Sequence, residues 1–107
     1  MTDFIQMQWT CENMSQAKKV AHILLEKKLV ACINIFPEIE SFFLWEGRVN
    51  QSKEVKVLIK THQNNFESVK DIIVKESSYS LPEILSFKIE GGHQSYLEWM
   101  QQSVKIG

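Results

Sequence analysis

Two adjoining β-prone runs, residues 30–45 and 49–61, restrict this chain more than any other feature. Only the turn-forming Glu46-Gly47-Arg48 separates them. Strands in globular proteins ordinarily hold about five or six residues. A hairpin made of two such runs outgrows any sheet that 107 residues can assemble around it. In the second run Val55, Val57 and Ile59 point one way, while Glu54, Lys56 and Lys60 point the other together with Leu58. That alternation has the period of a half-buried strand. Pro37 interrupts the first run, and having no N–H to give a ladder it marks a bend or a bulge.

The other elements follow from shorter patterns. Phe4, Gln6 and Gln8 alternate with Ile5, Met7 and Trp9, as in a strand. Asn13 and Gln16 form a variant capping box, and Ala17, Val20, Ala21, Leu24 and Leu25 then make one apolar helical face. Lys27 and Lys28 fall where cations complement a helix C-terminus. Asn64 and Glu67 predict a second cap, ahead of Phe66, Val69, Ile72 and Ile73 on one face. Residues 76–82 read as a loop, and Leu85, Phe87 and Ile89 share one side of a last strand that ends at Gly91-Gly92. Ser95 and Glu98 predict a third cap, with Tyr96, Leu97, Met100 and Val104 docking a short helix. The order β-α-β-β-α-β plus a C-terminal helix defines an α+β, ferredoxin-like sandwich with a long β-hairpin, expected as one domain over residues 1–107. One sheet face is then open and a long hairpin edge exposed, which together predict self-association.

Composition excludes several classes. Twelve Lys and Arg stand against thirteen Asp and Glu, a net charge of -1, so no basic footprint for nucleic acid exists. Four Gly and two Pro suit long elements with few loops. Two Cys do not make a disulfide framework and suit a reducing compartment. The N-terminus lacks the basic and apolar parts of a signal peptide, and no apolar stretch reaches bilayer length, so the expectation is a cytoplasmic chain with no membrane partner. No phosphate-binding Gly-rich loop and no nucleophile-elbow motif occurs. Arg48, the only arginine, sits in a turn rather than in the N-terminal loop an acylphosphatase needs. The central strands also lack the stacking aromatics of an RNA-recognition motif.

Candidate chemistry is sparse. Cys11 and Cys32 are 21 positions apart, without metal-finger spacing. Cys32 lies in the apolar run Val30-Ala31-Cys32-Ile33 and reads as a small buried hydrophobe. Cys11 falls in a strand-to-helix turn, exposed, where a helix N-terminus favours the thiolate. His22 lies on a polar helix face, and His62 and His93 lie in loops. Glu38, Glu40, Glu46, Glu54 and Glu83 gather around the hairpin and the Pro82 loop, with Lys56 and Lys60 placed to neutralise Glu54 across strands. The pointed alternative to a solvated face is that Glu54 or Glu83 lines a cleft between subunits.

Several segments together resemble the CutA family. Leu29-Val30-Ala31-Cys32-Ile33-Asn34 looks like the family's second strand and the helix end before it. Trp45-Glu46-Gly47, then Glu54, then Lys60-Thr61, resemble its long hairpin. Tyr79-x-x-Pro82-Glu83-Ile84 resembles its loop into the last sheet strand, and Gly92 with Tyr96-Leu97-x-Trp99 its C-terminal helix. The resemblance runs in order over nearly the whole chain. It implies a non-enzymatic, PII-like homotrimer linked to divalent-ion tolerance, with hairpins pairing between subunits and, in some relatives, copper or another divalent metal bound. Where copper-binding relatives carry a Cys before the Thr ending strand one, this chain has Trp9 before Thr10; where the family has His-Pro-Tyr it has Ser77-Ser78-Tyr79. The thiol and imidazole suited to copper are thus missing. Cys32, Glu54, Lys60, Tyr79 and Glu83 remain as the expected ligand-binding residues of an inter-subunit cleft, for a hard divalent cation or a small anion. The alternatives are a scaffold trimer that presents surfaces to a partner protein with no ligand and, more remotely, an enzyme using Cys11 or Cys32 as nucleophile.

Overall fold

A computed structural model describes residues 2–107. Its elements in chain order are β1 (Phe4–Cys11), α1 (Met14–Glu26), β2 (Cys32–Trp45), β3 (Arg48–His62), α2 (Phe66–Glu76), β4 (Glu83–Lys88) and α3 (Gln94–Ser103). A single 3-10 turn, Gln63–Asn65, joins β3 to α2. The sheet order is β2-β3-β1-β4 with every neighbouring pair antiparallel, as the ferredoxin-like reading requires.

The alternation in β1 and β3 decides which side is buried. Met7 lies opposite Ile59 and Trp9 opposite Val57, and all four are buried with Cys11, Val20, Leu24, Val69 and Ile73 in the core between the sheet and helices α1 and α2. Asn13 caps α1 as expected, its side chain accepting the Gln16 N–H at 2.9 Å. The second predicted cap is not made. Asn65, not Asn64, precedes α2; its side chain makes no cap bond, and His62 Nδ1 accepts the Asn64 N–H instead. Buried Asn65 is spent on tertiary contacts, donating to the carbonyls of Leu29 and Lys105 and accepting from the Gly107 N–H. The third cap is also absent: His93 precedes α3 without a side-chain bond. His62 is not a loop residue either, but ends β3, buried edge-on against Phe4.

Helix α3 lies on the other face of the sheet. Met100 and Val104 pack with Phe4 and Ala31, and the tail is tied in through Lys105 N–H to the Lys28 carbonyl. The rest of that face stays uncovered: Phe36, Leu85 and Phe87 are 47%, 48% and 51% exposed.

The hairpin overshoots as predicted. β1 pairs with residues 55–62 of β3, so residues 48–54 have only β2 beside them. The ladder slips by one residue between Phe36 and Ile39, around Pro37. At the tip Glu46 and Gly47 both have positive φ (51° and 77°), the mark of a type I′ turn whose twist matches the strands.

Candidate functional site

The predicted site residues fall into two groups. Glu54, Tyr79 and Glu83 line one cleft of about 930 Å³ between the base of the overshooting hairpin and the loop from α2 to β4. Cys32 and Lys60 lie elsewhere. They are register partners at the opposite end of the sheet, four residues along β3 from Lys56, or roughly 13 Å.

Strand alternation builds the cleft floor. Thr10 is register partner to both Lys56 and Glu83, so the three side chains share one face in a row across β3, β1 and β4. Glu83 Oε2 accepts from Thr10 Oγ1 at 3.1 Å and from Gln8 Nε2 at 3.0 Å, and Lys56 Nζ stands 3.6 Å away. Lys56 therefore neutralises Glu83 across the intervening strand, not Glu54 as the sequence suggested. The Tyr79 hydroxyl meets Glu54 instead. Burial, then the hydrogen bond and charge of Glu54, with smaller effects from Glu12 and Cys11, push that phenol well above its usual range, so it stays protonated and donates. Glu40 accepts from Gln51 Nε2 at 2.7 Å. Ile39, Phe43, Trp45 and Leu81 supply an apolar wall.

Gln8, Thr10 and Glu40 were not among the expected ligand residues. The period-2 pattern of β1 places Gln8 and Thr10 opposite the buried Met7 and Trp9, and that was the signal available. At the other end, Lys60 Nζ lies 3.3 Å from the Tyr96 hydroxyl, 3.5 Å from Asn34 Oδ1 and 5.4 Å from the centre of the Tyr96 ring. Cys32 is half-buried beside Asn34. A second groove, of about 540 Å³ between the end of α1 and the C-terminal tail, holds none of the expected residues.

The cysteines reverse their expected roles. Cys11 is fully buried in the core with Sγ directed at the Asn13 carbonyl. Burial is the main reason its pKa is pushed up to about 11; the Asn13 contact lowers it and the charge of Glu54 raises it further. An inert structural thiol results, not the exposed, thiolate-favouring one expected.

The profile of the CutA1 divalent ion tolerance protein family matches residues 5–103. The chain belongs to that CutA1 family. It is 39% identical to the divalent-cation tolerance protein CutA of Archaeoglobus fulgidus, over 98% of this chain and 100% of that protein. The chloroplastic protein CutA of Arabidopsis thaliana is 38% identical over 90% of this chain, which spans about half (53%) of that longer relative. The solved structure of CutA1 from Oryza sativa superposes with a TM-score of 0.94 at 32% identity, covering 99% of this chain and 97% of that one. The family's description names ion tolerance and no reaction.

The described residues of this CutA1 chain can be tested against a bare metal ion. Trp9 turns into the core, fully buried, and its indole N–H has no partner among the described residues. Among those residues no three His, Cys, Asp or Glu side chains come together as a metal site. The carboxylates of the cleft already accept from amides, hydroxyls and Lys56, so the donor set does not fit copper or a comparable ion.

Proposed function

We propose that this chain is a non-enzymatic, one-domain subunit of a CutA-type homotrimer that serves divalent-ion tolerance by binding a small ligand in the cleft at the base of the hairpin. The observation that carries this is the pairing of an unoccupied apolar sheet face with a hairpin that leaves its own sheet. Phe36, Leu85 and Phe87 expose a patch that association covers, and residues 48–54 need neighbours their own chain does not supply. Closing such faces around a three-fold axis sets the cleft beside a neighbouring subunit. Glu54, Tyr79 and Glu83 then act as ligand-binding residues, with Lys56 and Thr10 holding Glu83 in place. Cys32 and Lys60 have a pairing role at the other end of the sheet. Among the described residues no helix is long and apolar enough to cross a membrane; a cytoplasmic setting belongs to the same reading.

A scaffold trimer without a ligand is the second reading. The satisfied hydrogen bonds of Glu83 favour it, since a ligand there must displace an existing partner. Size-exclusion chromatography with light scattering tests the assembly: the expected mass is three times 12.5 kDa, and a monomer at micromolar concentration refutes it. Calorimetry with copper, zinc and nucleotides then separates the two readings. Heat that disappears in Glu54→Gln supports a cleft ligand, whereas silence toward every probe favours the scaffold.

A further inference from the structure

The charge balance and shape of the cleft specify the class of ligand, given the reading of the cleft as the binding site. Two carboxylates face it, those of Glu54 and Glu83, against one cation, Lys56; Glu40 alternates to the opposite face of β2, beside its register partner Lys53. Glu83 has that cation at 3.6 Å. Glu54 has only the hydroxyl of Tyr79, a neutral donor. One negative charge in the cleft, that of Glu54, therefore has no ion-pair partner among the described residues. A hard divalent ion needs about six or more oxygens converging at about 2.0–2.6 Å, and no such cluster exists here among the described residues. The volume, about 930 Å³, is instead that of a drug-sized organic molecule. Its wall is apolar beside the charge. Ile39 is the register partner of Glu54, and Phe43 lies four residues further along the same face of β2, roughly 13 Å away.

We propose that the cleft binds an organic cation, with an ammonium group seated at Glu54 and an apolar spacer leading to an aromatic body against Phe43. The ammonium meets the one partly shielded carboxylate without a cation, where a charge-assisted hydrogen bond is strong. Tyr79 lines the same cleft and adds no charge of its own there. The aromatic body covers Phe43, which is 41% exposed, in an offset or edge arrangement.

Monodansylcadaverine, a primary ammonium on a five-carbon chain bearing a fluorescent aromatic sulfonamide, has the required form. Its analogue with a methyl group in place of the ammonium is the control. In a fluorescence titration of the intact protein, the ammonium probe is expected to saturate and to bind at least about tenfold tighter than the analogue. Glu54→Gln, which keeps the shape and an acceptor for Tyr79, should abolish that preference. Phe43→Ala should weaken both probes while circular dichroism and assembly mass stay unchanged. Equal binding of the two probes, or a preference that survives Glu54→Gln, overturns the proposal. Copper or zinc binding that Glu54→Gln removes, with no saturable probe binding, overturns the organic cation and keeps the cleft as a site. Failure of both metals and probe overturns the ligand class and the cleft together.

Discussion

Single side chains carry opposite burdens at Cys11 and Cys32. Cys11 is buried, and burial pushes its thiol up to about 11, so alkylation by iodoacetamide at pH 8 should modify Cys32 at least about tenfold faster. Peptide mass spectrometry resolves the two, and faster modification of Cys11 would contradict the burial. The same shift makes stability depend on pH. The unfolded thiol loses its proton near 9 and the folded one near 11. Between those values the unfolded state holds fewer protons, so stability is intact below about pH 9 and falls toward pH 11, by about 2 kcal/mol. Urea melts of the native chain and of Cys11→Ala at both ends of this window should diverge by that amount, and parallel losses would assign the fall to other groups. Asn65 is the polar counterpart. Its amide satisfies two carbonyls and one N–H from two distant segments, the end of the α1–β2 connection and the C-terminal tail, so Asn65→Ala should cost about 3 kcal/mol in urea denaturation.

Elements are decided by local geometry more than by propensity. The hairpin turn places Glu46 at φ 51°, left-handed backbone that a residue with a long side chain adopts at a cost, while Gly47 at φ 77° suffers none. Glu46→Asn, which restores the preferred Asn-Gly pair, should stabilise the chain by about 0.5 kcal/mol in denaturant melts. An unchanged or lower midpoint would show that Glu46 has a compensating contact. The bulge around Pro37 puts Ile39 opposite Glu54. Without the extra residue the strand beyond Phe36 would present its alternate side chains to the cleft face. The sequence pattern placed a disturbance at Pro37 but not its one-residue size, which depends on the pairing with β3.

At the scale of the molecule, shape exposes the unfinished part. The radius of gyration is 14.5 Å, against about 13 Å for a compact chain of this length, and the extents of 44 × 26 × 22 Å show the elongation. The hairpin tip accounts for it, with Leu44 and Val49 each 75% exposed. On the proposed trimer, Phe87→Glu should lower the mass seen by light scattering, because a charge cannot be buried unpaired on a covered face. It should leave far-UV circular dichroism unchanged, since Phe87 lies outside the core between sheet and helices. An intact trimer would place the association surface elsewhere.

The sequence by itself determined the element order, the buried faces of α1, β1 and β3, the overshooting hairpin and the disturbance at Pro37. Each rests on a period or a turn residue within a few positions of chain. It also carried the family, because motifs spread over most of the chain keep their order. Only the tertiary structure decided which of the expected site residues meet. Glu54, Tyr79 and Glu83 share a cleft, while Cys32 and Lys60 lie at the other end of the same face, a separation that register sets and spacing along the chain does not reveal. The cap expected ahead of α2 failed for a related reason: Asn65, which precedes the helix, has three tertiary partners to satisfy, and His62 caps the 3-10 turn instead. The exchange of roles between the cysteines has the same origin. Burial depends on which face of the sheet the helices cover, and the residues around one thiol do not state it.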